Sequence, residues 1–266
     1  MTRAANAGAT NKGAWARRLT WLALVLAIGG TLAALIAAFG SGQGAWHFGT
    51  GFTILRYAFF AAIAGALLAI VALVLSHRAR VPGLRTRNVL ALAIALLFVG
   101  YLGMQIRTAR TVPAIHDVAT DLDDLPQFRA LRVREDNLEK VPDMDRPELK
   151  ALEPEERWKA IHREAYGDLK PVRVQWTVEE TIGKAQALAD KRGWQIAHVD
   201  PSRGTLEATD TTRFFRFKDD VVVRARKAPD GKGTVVDMRS ISRVGGSDVG
   251  VNAERVREFL KDLRQS

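Results

Sequence analysis

Three uninterrupted apolar stretches constrain this chain more than any other feature. Residues 19–39, 57–75 and 89–106 contain no Asp, Glu, Lys or Arg and are built mainly of Leu, Ala, Ile and Val. The first would make a helix roughly 31 Å long, enough to cross the hydrocarbon core of a bilayer. Each stretch is apolar all round, whereas a helix packed on one side of a soluble core alternates in character. The spacing therefore predicts a membrane domain of three transmembrane helices within residues 1–110. Residues 19–39 follow Arg17 and Arg18, as the core of a signal peptide would. No small-x-small site ends the run, so it reads as a retained anchor.

Charge is distributed to match. The formal net charge is +10, yet residues 1–110 hold 11 Lys/Arg and no Asp/Glu, and the first acidic residue is Asp117. Residues 111–266 carry the other 28 Lys/Arg and all 29 Asp/Glu, a net of −1. The basic character belongs to the membrane part, and nucleic-acid binding loses its main argument. Arg3, Lys12, Arg17 and Arg18 precede the first span, and Arg78, Arg80, Arg85 and Arg87 lie between the second and third. The loop 40–52 carries no cation, which leaves Arg56, Arg107 and Arg110 for the opposite side. Short cytoplasmic loops hold the Lys/Arg excess, so the N-terminus is expected in the cytoplasm. Three spans then put the C-terminal domain outside, which in a Gram-negative bacterium is the periplasm. No Asp, Glu, Lys or His sits in mid-span, which disfavours a coupled transporter or proton pump. The Gly-rich stretch 40–44 reads as a flexible turn.

Residues 111–170 form a Pro-rich connector, with one short helix expected over 155–165. Regular patterns begin after Pro171. Residues 172–176 alternate as a strand. Thr177 and Glu180 have capping-box spacing ahead of a helix whose face is Val178, Ile182, Ala185 and Ala189. Strands are expected at 194–199, 205–211, 219–226 and 234–243, separated by turn-forming segments. Asn252 can cap a last helix, in which Val256, Phe259, Leu260 and Leu263 recur on one face. The order strand, helix, four strands, helix predicts an α+β fold for residues 171–266: an antiparallel sheet in a two-layer domain.

Strand alternation assigns the polar side chains. Arg224, Arg226, Arg239 and Arg243 would share the sheet face away from the helices, with Asp220 and Asp237. This face suits an anionic ligand, or else cross-strand ion pairing. Asp219 and Asp220, as neighbours, point to opposite faces. The loop ahead of the last helix adds Ser247, Asp248 and Asn252. Gly245-Gly246-Ser247-Asp248-Val249 lacks the closing glycine of a nucleophile elbow. His116-Asp117 with Asp121 and Asp123 has no metal-ligand spacing of the usual kind, so neither a metal nor a cofactor is expected. The candidate ligand-binding residues are Asp219, Asp220, Arg224, Arg239, Ser242, Arg243, Ser247, Asp248 and Asn252. No catalytic residue is assigned.

The segments Phe217-Lys218-Asp219-Asp220-Val221 and Arg239-Ser240-Ile241-Ser242-Arg243-Val244-Gly245-Gly246-Ser247-Asp248-Val249-Gly250-Val251-Asn252 resemble the bacterial domain-of-unknown-function family 1499. Its pattern reads Phe-x-Asp-Asp-Val, then Arg-Ser-x-Ser-Arg-x-Gly-x-Ser-Asp-x-Gly-x-Asn. The segment from Ile115 to Asp121 also resembles the family's entry. The likeness spans roughly residues 113–264. It implies a domain carried behind membrane spans and no established activity. The expected protein is thus a multi-pass inner-membrane protein presenting a periplasmic binding or interaction module. Its expected partners are the lipid bilayer and an anionic envelope component or partner protein. The alternative is a membrane-surface hydrolase using Asp219, Asp220 and the segment from Ser242 to Asp248, and a third reading places the working unit in the spans.

Overall fold

The computed structural model describes residues 2–139 and 141–266, with side chains from residue 11 onward. Arg3, one of the orienting cations, lies outside the described side chains. The chain divides into two compact units, one of long helices and one comprising Thr108–Thr212 and Phe217–Ser266.

The helical unit contains α1 (Thr2–Gly42), α2 (Phe48–Arg78) and α3 (Leu84–Thr111). All three are long and apolar enough to cross a membrane. Each helix runs past the apolar stretch that predicts it, because backbone pairing continues until a residue breaks it. The breakers are Gly44 in the left-handed region, the Pro82-Gly83 pair, and Pro113. The Gly-rich segment expected as a turn is therefore helical as far as Gly42. Small residues face inward: Ala23, Ala27, Ala66, Ala69, Ala91 and Ala95 form the helix interface with Leu24. Gly30 and Gly65 are required by close approach, since a Cβ on either would stand 3.0 Å from backbone of the facing helix. Large apolar side chains such as Val25, Ile36 and Leu97 point outward. A soluble bundle does the reverse.

The second unit is an antiparallel sheet with helices, an α+β domain. Its sheet runs β1 (Asp117–Ala119), β6 (Thr234–Ser242), β5 (Lys218–Lys227), β4 (Thr205–Thr211), β3 (Gln195–Asp200). The short β2 (Val172–Val174) pairs with the other end of β6, beside β1. Helices α6 (Val178–Lys191) and α7 (Val251–Gln265) cover one face. Ile182, Ala185, Ala189, Val256, Phe259 and Leu263 pack there on Leu206, Val221, Val223, Val236 and Met238. The capping box forms as the spacing predicts: Thr177 Oγ1 accepts from the Glu180 amide, and Glu180 accepts from the Thr177 amide.

The Pro-rich segment contributes more than a connection. It supplies β1, the one-turn α4 (Pro147–Lys150) and α5 (Pro154–Tyr166), whose Trp158, Ile161 and Tyr166 join the core. Between β1 and α4 it runs across the sheet face opposite the helices. There the amides of Arg129, Ala130 and Leu131 donate to the Glu207 carboxylate at 2.8–3.2 Å. An extended segment has no internal partners for its amides, and a buried carboxylate supplies them.

Candidate functional site

The family-like residues fall into two clusters, one on each side of the sheet. On the helix side, Asp219 of β5 meets Arg255 of α7, with Nη2 2.7 Å from Oδ2 and both side chains buried. Arg255 also reaches Asp210 at 2.9 Å and Ser240 Oγ at 3.1 Å, and it donates to Asn252 Oδ1. Asn252 is fully buried and uses every bond it can make. Its Nδ2 donates to the His116 carbonyl (2.9 Å) and Ser242 Oγ (3.0 Å), and its Oδ1 accepts from Ser240 Oγ (2.6 Å) and from Arg255. Asn252 does not cap the last helix. The N-cap position is Gly250, and the Asp248 carboxylate takes the amides of Gly250 (2.9 Å) and Asn252 (2.6 Å). A residue already inside the first turn can send its side chain back to the sheet, whereas a capping residue cannot. Burial pushes the Asp248 carboxyl above its ordinary range, while the two amide bonds oppose that shift. Ser247 Oγ accepts from the Val249 amide and shapes the loop.

On the opposite side, Arg243 grips Asp220 with two bonds of 2.8 Å, and Thr209 Oγ1 donates to the same carboxylate. Arg224 and Arg226 converge on one oxygen of Asp237 and also pair with Asp121 and Asp124. Asp237 is fully buried, its other oxygen has no partner among the described residues, and burial raises its pKa against the pull of the two guanidinium groups. Arg239 pairs with Asp117 of β1. The alternation places these side chains on the face expected for them. That face is covered by residues 120–135, so its charges meet carboxylates and backbone carbonyls of the same chain.

Seven of the nine candidate residues thus bond to other side chains, Ser247 and Asp248 bond to backbone amides of their own loop, and no single cleft gathers them. Asp219 and Asp220 take opposite faces. Asp220, Ser242 and Arg243 border a cavity of about 10 Å³, and a second of the same size lies between His116, Asp117, Asn137 and Trp158. Each has room for one water. No group of His, Asp and Glu among the described residues is placed to hold a metal ion. In chemical terms the clusters cross-link β1, β5, β6 and α7.

A larger concavity lies elsewhere, between the segment leading into β2 and the outer side of α7. This groove of about 400 Å³ has Leu169, Val172 and Leu260 in its lining, together with Lys170, Arg257, Lys261, Arg264 and Asp168. Arg257 is held by Asp168 at 2.8 Å and by Glu254 at 2.9 Å. Lys170, Lys261 and Arg264 have no acidic partner among the described residues. The strand pattern could not indicate this groove, because Lys170 stands about 90 residues before Lys261 and Arg264.

Two aromatic residues of α5 are buried together, which their spacing in sequence did not indicate. His162 and Tyr166 sit on successive turns of α5, with ring centroids 5.6 Å apart. His162 Nε2 accepts from the Ala119 amide, while its Nδ1 and the Tyr166 hydroxyl are buried without partners among the described residues. Burial lowers the His162 pKa to about 4 and pushes Tyr166 up to about 12.

The description DUF1499, a protein of unknown function, matches residues 117–263. The chain belongs to the DUF1499 family. The match begins at the first residue of β1 and ends at Leu263 within α7, so the DUF1499 unit includes the Pro-rich segment as well as the sheet. Its most distinctive segments build the two clusters described above. No curated protein and no solved structure matches the chain.

Proposed function

We propose that this DUF1499 protein is an inner-membrane protein with a cytoplasmic N-terminus, and that its periplasmic domain holds an anionic envelope glycan in the groove beside α7. The observation that carries this reading is the set of unpaired cations. In a unit of balanced charge, where most arginines meet carboxylates, Lys170, Lys261 and Arg264 stand together over an apolar floor without any among the described residues. Such a patch attracts polyanions over about a Debye length, roughly 10 Å at 0.1 M salt. The orientation is supported by the placement of eight of the 11 N-terminal cations. The membrane-surface hydrolase has less support, since Asp219, Asp220 and the segment from Ser242 to Asp248 are engaged with each other and with arginines on two faces.

Binding of fluorescent dextran sulfate to the full chain in detergent tests the groove, with uncharged dextran as reference. The variant Lys170→Gln/Lys261→Gln/Arg264→Gln is expected to bind the anionic polymer about tenfold more weakly, as loss of three nearby cations implies. Equal binding by the variant would move the site elsewhere. Alkaline phosphatase fused after Ser266 is expected to be active, and an inactive fusion would reverse the orientation.

A further inference from the structure

A cavity of about 720 Å³ opens where α2 ends and α3 begins, with Arg78, Arg80 and Arg85 in its lining. We propose that this cavity seats the phosphodiester headgroup of an anionic glycerophospholipid, held by Arg78, Arg80 and Arg85. The inference rests on the reading of α2 and α3 as membrane spans, which puts their connecting loop at headgroup depth.

Three observations carry it. First, the arginines have no counter-charge: residues 1–110 contain no Asp or Glu, and no ion pair reaches Arg78, Arg80 or Arg85 among the described residues. Nearby cations find other partners, since Arg87 lies over the Trp21 ring at 5.5 Å and Arg18 over Trp15 at 5.6 Å. Three guanidinium groups around one concavity repel each other unless an anion enters. Second, the lining is amphipathic in the sense a lipid requires. Leu73, Val74, Val81 and Pro82 supply apolar contact beside the cations, which a free phosphate would not use. Third, Ser76 gives the lining a buried, hydrogen-bonded polar group. Ser76 is 3% exposed, donates to the Leu73 carbonyl, and lies 3.5 Å from Nδ2 of the fully buried Asn88, whose Oδ1 has no partner among the described residues. Basic pockets between spans are where acidic lipid headgroups bind, and Arg suits a phosphodiester because its planar fork matches two oxygens.

Native mass spectrometry of the full chain in mild detergent tests this, with phosphatidylglycerol and phosphatidylcholine of equal acyl chains added in turn. Phosphatidylglycerol adducts are expected at lipid concentrations at least about tenfold lower. The Arg78→Gln/Arg80→Gln/Arg85→Gln variant should lose that preference, its Lys counterpart should keep most of it, and Arg107→Gln/Arg110→Gln should leave it intact. Absence of a preference in the natural chain, its persistence in the Gln variant, or an equal loss in the Arg107/Arg110 variant overturns the proposal. Alkaline-carbonate extraction runs alongside. A chain released by it is not membrane-spanning, and the lipid site falls with that reading. A chain retained by it without a phosphatidylglycerol preference refutes the site alone.

Discussion

Arg239 and Asp117 stand 122 residues apart in sequence, yet in the fold Nη2 lies 2.7 Å from Oδ2 and Nε 3.0 Å from Oδ1. Both are buried, at 5% and 1% exposure. The pair joins the first strand, from the Pro-rich segment, to the last strand of the sheet. Removing one member leaves a buried charge without its partner, which costs about 3–5 kcal/mol. Arg239→Met is therefore expected to lower stability by that amount in thermal melts of the full chain in detergent. Because the isolated loss is mostly desolvation, Asp117→Leu/Arg239→Met should regain a large part of it. A double variant as weak as the single one would mean that the pair itself supplies the stability.

Asn252 illustrates a different economy. All four of its side-chain bonds end on buried groups from β6, α7 and the residue before β1. Asn252→Leu has nearly the same size but leaves the Ser240 hydroxyl without its acceptor and removes an acceptor from Arg255. The expected loss is about 2–4 kcal/mol, from unsatisfied groups rather than from packing. Substitution of exposed Asn11, by contrast, should leave the melting temperature unchanged.

Stability should fall in mild acid because of His162. Its native pKa is lowered to about 4, from 6.5 for the exposed side chain, by burial. Between those values the unfolded chain takes up a proton that the native protein refuses. Stability is unaffected above pH 6.5, declines as pH falls, and has lost about 3 kcal/mol near pH 4. The raised carboxyls of Asp237 and Asp248 act in the opposite sense, since their native forms bind a proton more readily than the unfolded chain. Comparing natural chain with His162→Gln isolates the histidine: the variant's melting temperature should drop less from pH 7 to pH 5. Parallel profiles would exclude His162 as the source.

Gly204 and Gly231 both adopt positive φ, at 66° and 74°, but their surroundings differ. A Cβ at 204 would lie 2.1 Å from the Ala225 carbonyl oxygen, whereas at 231 it meets only the end of Lys227 at 3.9 Å. Gly231→Ala should cost about 1–2 kcal/mol, the left-handed penalty alone. Gly204→Ala must also push β5 away and should cost several times more, measured in the same melts.

What the sequence determined was local or compositional. Hydrocarbon thickness converts a charge-free run into a span, and period-two and period-3.6 patterns convert into the sheet and its two helices. The Thr177–Glu180 capping box is a four-residue device, so its spacing sufficed. Even the face on which Arg224, Arg239 and Arg243 lie follows from alternation. Tertiary structure alone decided what that face meets. The prolines excluded long helices from residues 111–170 but could not reveal that this segment supplies β1 and folds over the charged sheet. Its amides and carboxylates find Glu207, Arg224 and Arg239 from roughly 75 to 120 residues away. The same is true of Arg255, whose partner Asp219 stands 36 residues earlier. Ion pairs depend on distance in space, and sequence patterns report only distance along the chain. A row of family-like polar residues that alternation alone offers to a ligand is, in three dimensions, largely bound to itself.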